Sequence, residues 1–322
     1  MRHTLTRRSA IIAAAPALVI PGAWAQTPWP SQQIRVVHGY EAGSNPDTIA
    51  RHLAPAMSEI LGVQILIDPR PGAAERLAAT QVARLPADGY TLYMMTGGQA
   101  VVSATDTSLS YDLMRDFGFV SIVTRFPFTL AVAATSRFAT LKDYVDEARR
   151  TPGKLTYGSS GIGSTLHMAM ELLKTQLKID VVHVPYRGGM GQPLGDLLEG
   201  RLDMHVVTFT NARPHTRAGK LRVLAVTSKN RWTGFPDVPA ISETVPDFDV
   251  VSWLGFAAPA GMPQPIVDRL AAAIRQASER PEVKAKLEDL GNDVNADGPA
   301  AFRDRVVADM AKWKPLAHAV RP

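Results

Sequence analysis

The sequence predicts an α/β protein built from two lobes, and three observations support this. With 322 residues, the chain is too long for one ordinary hydrophobic core. Apolar residues make up 46% and charged residues 20%, a balance typical of globular proteins and too apolar for intrinsic disorder. Short β-rich runs alternate with longer amphipathic runs, which indicates parallel sheets covered by helices.

The strands are predicted from short runs rich in β-branched and apolar residues. These runs are residues 34–38, 64–67, 90–95, 130–134, 155–158, 181–184, 204–209, 221–227 and 250–258.

Helices are predicted where apolar residues recur at helical spacing, as they do over residues 47–61. Asn45 is the expected N-cap of this first helix, with Pro46 at its first position. Pro55 should kink or shorten the helix because proline lacks the donor of a mid-helix hydrogen bond. The same spacing predicts helices over residues 140–149, 166–176, 192–198 and 264–278.

The first 25 residues have the pattern of a cleaved export signal. Three arginines precede an apolar stretch over residues 10–20, and Ala23-Trp24-Ala25 forms a small-residue cleavage site. The stretch is too short to span a bilayer. We therefore expect a periplasmic protein, exported by the general secretory route or, because Arg7 and Arg8 are adjacent, by the twin-arginine route.

Composition excludes several other classes. Removing the signal would lower the formal charge of +5 by three, and no dense basic cluster follows, so a nucleic-acid partner is not expected. The chain has no cysteine, which excludes disulfides and thiolate metal sites. The histidines lack metal-ligand spacing, so no metal or other cofactor is expected.

Glycine- and serine-rich turns stand where strands end, the place where α/β sheets bind ligands. They cover residues 39–45, 96–99, 158–164 and 186–189. Such a turn before a helix presents unpaired backbone N–H groups at the positive end of the helix dipole, which favours an anion. An ordinary capped strand-to-helix turn would have the same sequence.

The same turns lack the common enzyme motifs. Nucleotide-binding motifs and the hydrolase motif G-x-S-x-G do not occur. Ser164 with His167 is the one local nucleophile and base pair, although a buried, hydrogen-bonded histidine is the simpler interpretation. Tyr186 offers an aromatic face and Arg187 a carboxylate-binding fork, unless Arg187 is a solvated loop charge.

A series of short segments follows in a fixed order from about Trp29 to Trp313. These segments are residues 29–30 with 34–37, 47–51, 70–73, 86–92, 157–167, 183–188, 219–227, 235–239 and 253–261. In this order they resemble the Bug family, the TctC-like substrate-binding receptors of tripartite tricarboxylate transporters.

The resemblance implies a type II periplasmic-binding-protein fold, with two α/β lobes joined by crossover strands and a ligand cleft between them. Residues 26–125 plus 250–322 would form lobe 1, and residues 126–249 would form lobe 2. Family members bind small carboxylates or related compounds through backbone donors, without a covalent step. The expected partners are a small-molecule solute and membrane transporter subunits, and we expect a monomer.

The family's contacts transfer by position to the turns described above. The implied ligand-binding residues are Tyr40, Gly43, Ser44, Asn45, Asp47, Thr96, Gly97, Gly98, Gln99, Ser160, Gly161, Ile162, Gly163, Ser164, Tyr186, Arg187 and Gly188.

Two loops depart from the family pattern. Residues 39–46 replace a proline-aromatic pair followed by Pro-Gly-Gly, and they carry Glu41, which would repel an anion if it pointed inward. The usual Gly-Ala-Gly-Gly-Asn is altered to Gly72-Ala73-Ala74-Glu75-Arg76. The solute therefore stays open between a carboxylate, an amide, an amino acid and a cation-bearing compound.

Two other functions share parts of this pattern. A periplasmic sensor that signals to a membrane kinase could have the same fold, and a secreted hydrolase would need Ser164 and His167 in contact. The order of the family segments favours a receptor that is not an enzyme.

Overall fold

The structure is a computed structural model that describes residues 29–186 and 191–320. The predicted export signal and two of the predicted site residues, Arg187 and Gly188, lie outside the described residues.

Strands and helices alternate through most of the chain. In its first part the elements are β1 (Ile34–His38), α1 (Asn45–Leu61), β2 (Ile65–Pro69), α2 (Arg76–Val82), β3 (Thr91–Thr96), α3 (Gly98–Thr105), β4 (Phe117–Ala133), α4 (Leu141–Arg150), β5 (Thr156–Ser159) and α5 (Thr165–Leu177). The second part contains β6 (Val182–Pro185), α6 (Gly191–Leu198), β7 (Met204–Thr208), α7 (Phe209–Arg217), β8 (Leu221–Val226), β9 (Val251–Pro259), α8 (Gln264–Ser278), α9 (Pro281–Asp289), β10 (Asp293–Val294) and α10 (Pro299–Trp313).

The long strand β4 joins two groups of strands. Its residues 117–127 pair with β9, which continues through β3 and β1 to β2. Its residues 128–133 pair with β7 and β8, and β7 continues through β5 to β6. We call these groups the first and the second sheet, and they give the two-lobe α/β fold that the sequence predicted.

The prediction of parallel sheets is correct only in part. The pairs of β1 with β2 and β3, and of β5 with β6 and β7, are parallel. β4 pairs antiparallel with β8 and with β9, and β9 pairs antiparallel with β3. β4 carries the chain from the first sheet into the second, and β9 brings it back to the first.

Several predicted boundaries are wrong. The fourth strand begins at Phe117 rather than at residue 130, and Pro127 lies inside it. Proline is tolerated there because β4 changes partners at that point. The N-cap of α1 is Ser44 rather than Asn45, and the helix continues through Pro55 to Leu61.

Helices cover the sheets and enclose the core. Tyr157 and Trp253 are fully buried, and the indole N–H of Trp253 donates to Asp309. Within residues 29–186 and 191–320, no helix is long and apolar enough to cross a membrane.

Candidate solute-binding cleft

A cleft between the two sheets is bounded by the turns that follow β1, β2, β5 and β7. It has an inner and an outer chamber, and Tyr40 and Ser160 line both. The floor of the inner chamber is formed by β4 and β9, through Phe126, Phe128 and Leu254. The strands that connect the lobes therefore lie directly beneath the inner chamber.

Three buried polar atoms on the wall of the inner chamber have no hydrogen-bond partner among the described residues. They are Ser44 Oγ, Ser160 Oγ and His205 Nδ1. Burial lowers the pKa of His205 to about 4, so its imidazole is neutral near neutral pH. Since buried polar groups normally have partners, these atoms indicate a site for a polar solute.

The turn after β1 is held in shape by Asp47 at the start of α1. Its carboxylate accepts hydrogen bonds from the Gly43 N–H and the Arg51 Nε–H, both at 2.9 Å, and lies 3.1 Å from His38 Nε2. Burial tends to raise the pKa of Asp47, but these hydrogen bonds outweigh it and lower the pKa below its ordinary value. Asp47 thus positions the turn and does not line either chamber.

Behind Tyr40 and Thr96 lies the fully buried carboxyl group of Glu75. It accepts hydrogen bonds from the Tyr40 hydroxyl at 2.9 Å, from the Tyr93 hydroxyl at 3.1 Å and from the Thr96 hydroxyl. Burial raises the pKa of Glu75 to about 7, because charge is costly away from water, although these three hydroxyl groups oppose the shift. Among the described residues, no arginine or lysine forms an ion pair with it.

Arg76, the next residue, lines the outer chamber. Its Nε–H donates to Asp106 at 2.9 Å and its Nη1 donates to the Ala73 carbonyl at 3.0 Å. Nη2 makes no hydrogen bond within the described chain and lies 3.5 Å from the position that a Cβ on Gly163 would take. The guanidinium is thus fixed on two sides, with its third nitrogen directed toward the second sheet's glycine-rich turn.

That glycine-rich turn, residues 158–164, is shaped by two glycines and one serine cap. Gly161 and Gly163 have φ angles of 119° and 77°, a backbone region that other residues rarely adopt. The Ser164 hydroxyl donates to the Gly161 carbonyl at 2.7 Å and accepts from the His167 N–H at 3.2 Å, so Ser164 caps α5. Ser160 and Ile162 remain at the cleft.

His167 does not activate Ser164. Its ring Nδ1 accepts a hydrogen bond from the Gly163 N–H at 3.3 Å, and its Nε2 lies 3.9 Å from the Glu171 carboxylate. Burial lowers the pKa of His167. The residue is a buried, hydrogen-bonded histidine, which was the simpler of the two sequence interpretations.

Tyr186 closes one side of the outer chamber. Its hydroxyl donates to Asp196 at 2.7 Å. Burial, together with the Asp196 carboxylate, raises the pKa of Tyr186. The ring therefore offers the cleft an aromatic surface, while the hydroxyl is already engaged.

The structure brings together about half of the predicted site residues. Those lining the cleft are Tyr40, Ser44, Asn45, Thr96, Ser160, Gly161, Ile162 and Tyr186. Those that line neither chamber are Gly43, which is exposed, and the buried residues Asp47, Gly97, Gly98, Gln99, Gly163 and Ser164.

Sequence reasoning missed other residues of the cleft. His205 and Thr208 line the inner chamber from β7, Asn211 lines it from α7, and Ser252 lines it from β9. Thr210 and Asn211, which directly follow the strand predicted over residues 204–209, were an available signal, since polar residues at strand ends often bind ligands.

Two sheets that share crossover strands, with turns from both around one cleft, are the architecture of a two-lobed solute-binding protein. The chain belongs to the tripartite tricarboxylate transporter receptor family, TctC, whose family model matches residues 49–321. This agrees with the resemblance to the Bug family.

The comparisons include a curated relative and two solved structures. A UPF0065 protein from the tcbD-tcbE intergenic region of Pseudomonas sp. (strain P51) is 34% identical over 290 residues, 89% of this chain and 86% of the relative. MatC from Rhodopseudomonas palustris, with bound malate, has a TM-score of 0.83 and 31% identity, covering 90% of this chain and 100% of the other. Rpa4515 of R. palustris, with adipate, has a TM-score of 0.85 and 33% identity, covering 91% and 98%.

These relatives identify the class of protein. Proteins of this family are periplasmic solute-binding receptors rather than enzymes, and two of the solved structures hold carboxylates. Within the described residues, no group of three histidine, aspartate or glutamate side chains could hold a metal ion.

Proposed function

We propose that this protein captures a small carboxylate solute in the cleft between its two lobes and delivers it to a tripartite tricarboxylate-type transporter. The observation that carries the proposal is the set of orphaned polar atoms, Ser44 Oγ, Ser160 Oγ and His205 Nδ1, around one cavity between the two sheets. A bound solute would satisfy these atoms, and solvent would be excluded as the lobes close.

The outer chamber supplies groups suited to a carboxylate. Arg76 offers its Nη2, and the turn of residues 160–163 faces it at the start of α5. The Gly161 and Gly163 N–H groups already donate to Ser159 and His167, so the backbone donors for a solute would be those of Ser160 and Ile162. The malate and adipate bound by two relatives have carboxylates at both ends, so one end could lie between Arg76 and this turn. Solute contacts would come from the cleft-lining residues, with Tyr40 and Ser160 serving both chambers.

The lobes would move about the strands β4 and β9. Residues 26–125 plus 250–322 would form lobe 1 and residues 126–249 lobe 2, a division close to the partner change of β4 between Pro127 and Phe128. The solute would hold the lobes closed, and the transporter would recognise the closed form. The first 25 residues would be removed during export to the periplasm.

A ligand screen by thermal shift tests the proposal. Linear dicarboxylates of different lengths, malate, amino acids and aromatic acids would be compared with amines of matched size that lack a carboxylate. A solute at 100 times its Kd stabilises the folded state by about 2.7 kcal/mol, a readily measured shift in Tm. We expect at least one carboxylate to raise Tm and the matched amines to have no effect; if no carboxylate raises Tm, the proposal is wrong.

A further inference from the structure

We propose that Glu75 is a specificity-determining residue: acting through Tyr40 and Thr96, its buried carboxylate selects a solute that carries an ammonium group beside its carboxylates. This inference rests on the proposed function and narrows its substrate class. In this arrangement Glu75 does not touch the solute but sets the polarity of the wall that does.

Three hydroxyl groups donate hydrogen bonds to the carboxyl group of Glu75. Tyr40 and Thr96, which line the inner chamber, both donate to Glu75 Oε1, and Tyr93 donates to Oε2. A hydroxyl has one hydrogen, so each that donates to Glu75 can offer a solute only its lone pairs. Tyr40 therefore presents acceptor lone pairs to the chamber, which favours a donor on the solute. Thr96 has one lone pair left, because its Oγ already accepts from the Gly98 N–H at 3.0 Å.

The negative charge of the Glu75 carboxylate is not compensated by a cation among the described residues. Glu75 forms no ion pair within the described chain, and the nearest cation in sequence, Arg76, pairs with Asp106. The other titratable side chains packed around the carboxyl group are Tyr40, Tyr93 and, through Gln99, Tyr111. None of these carries a compensating positive charge. An ammonium group in the inner chamber would supply it, at short range and away from water.

The position of Glu75 depends on its backbone conformation and on a nearby glycine. Glu75 has a φ of 72°, in the left-handed region that residues other than glycine rarely adopt. Its Oε1 lies 2.6 Å from the position that a Cβ on Gly98 would take. Gly98 is thus needed to make room for this carboxyl group, so the two positions act together.

Binding of a cation should also change the protonation of Glu75. Burial raises the pKa of Glu75 to about 7, so a fraction of the free protein holds a proton there at neutral pH. An ammonium group would favour the charged carboxylate, and the proton would be released. An unsubstituted dicarboxylate would release none.

The experiment compares matched solutes that differ only in the ammonium group. Calorimetry at about pH 7 would give the Kd of L-aspartate against succinate and of L-glutamate against glutarate. For the wild-type protein we expect the amino acid of at least one pair to bind more tightly, with a binding enthalpy that varies with the ionisation enthalpy of the buffer.

Two variants report on the role of Glu75. In Glu75→Gln the amide can donate to Tyr40, whose hydroxyl is then free to donate to the solute, so the preference for the amino acid should fall about tenfold and proton release should vanish. Glu282→Gln makes the same charge change on the exposed face of α9. It should leave the preference for the amino acid and the proton release unchanged. If Glu75→Gln does not fold, Tyr40→Phe is the second variant, because it removes the hydroxyl that links Glu75 to the chamber. It should reduce the preference for the amino acid over the matched dicarboxylate.

The outcomes separate the two proposals. If carboxylates bind but the amino acids have no advantage, or the advantage survives in the folded variants, the role of Glu75 is overturned and the receptor function stands. If no carboxylate binds, the receptor function fails and the inference fails with it.

Discussion

The side-chain oxygen of Asn45, at the start of α1, accepts a hydrogen bond from the Thr210 hydroxyl of α7 at 2.6 Å. These residues follow β1 of the first sheet and β7 of the second. Asn292 completes the contact, since its Nδ2 donates to the Thr210 hydroxyl at 3.1 Å and its Oδ1 accepts from Asn45 at 3.3 Å. A buried hydrogen-bonded link thus connects the two sides of the inner chamber.

Thr210→Val should weaken solute binding by shifting the protein toward an open arrangement. The substitution keeps the shape of the side chain but removes the hydroxyl, which also lies 2.9 Å from the Leu290 carbonyl. Asn45 Oδ1 then keeps only the longer hydrogen bond from Asn292 Nδ2 at 3.3 Å, at a cost of about 1 kcal/mol in the closed form. The affinity for the best carboxylate would fall roughly fivefold or more by calorimetry. Thr216→Val, on the same helix away from the cleft, is the control, and equal affinities of the two variants would contradict the link.

Arg76→Gln should weaken binding of dicarboxylates. The variant loses the only guanidinium that lines the described outer chamber, and we expect Kd to rise about tenfold to a hundredfold. Arg84→Gln removes the same charge from an exposed position outside the cleft and should bind as the wild-type protein does. Melting curves without solute would show the cost of losing the Arg76 to Asp106 pair separately.

Two neighbouring serines should behave differently. Ser160→Ala removes an orphaned hydroxyl from the cleft, so affinity should fall about fivefold with little change in stability. Ser164→Ala removes the cap of α5, so stability should fall by about 1 kcal/mol. Chemical denaturation and calorimetry on both variants would test this, and a reversed pattern would place the solute contact at Ser164.

Glu75 should make folding stability depend on pH. Its pKa is about 7 in the folded protein, above the ordinary value of a glutamate side chain, so the unfolded chain loses this proton at a lower pH. Below both pKa values the carboxyl group is protonated in the folded and the unfolded state and does not change the free energy of unfolding. As pH rises between the two pKa values and beyond, the folded state is progressively destabilised. Relative to Glu75→Gln, the wild-type protein should lose roughly 2 kcal/mol between about pH 5 and pH 8. Urea denaturation across this range measures the difference, and a constant difference would mean that Glu75 does not titrate there.

Local sequence patterns predicted much of the fold. β1 and α8 have the predicted bounds, because each is a simple apolar pattern flanked by clear signals. The early part of β4 was missed, since Arg125 and Pro127 interrupt its apolar run and the compensating change of partners is a property of the whole sheet. The helix α3 was missed because it begins with glycine where a turn was expected.

The candidate site was predictable where a single turn forms it. Tyr40 and Ser160 stand in turns with recognisable sequences, and both line the cleft. The roles of Glu75, Arg76 and His205 depend on which neighbours the folded chain brings to them. No local pattern indicates that the Glu75 carboxyl group lies beneath Tyr40 and Thr96.

A crystal structure with the most tightly bound carboxylate of the screen tests the central claim most directly. The account predicts solute density between Tyr40 and Ser160, with a carboxylate near Arg76 and polar contacts to Ser44 or His205. Density at another surface, or a saturated protein whose cleft between the two sheets holds no solute, would contradict it.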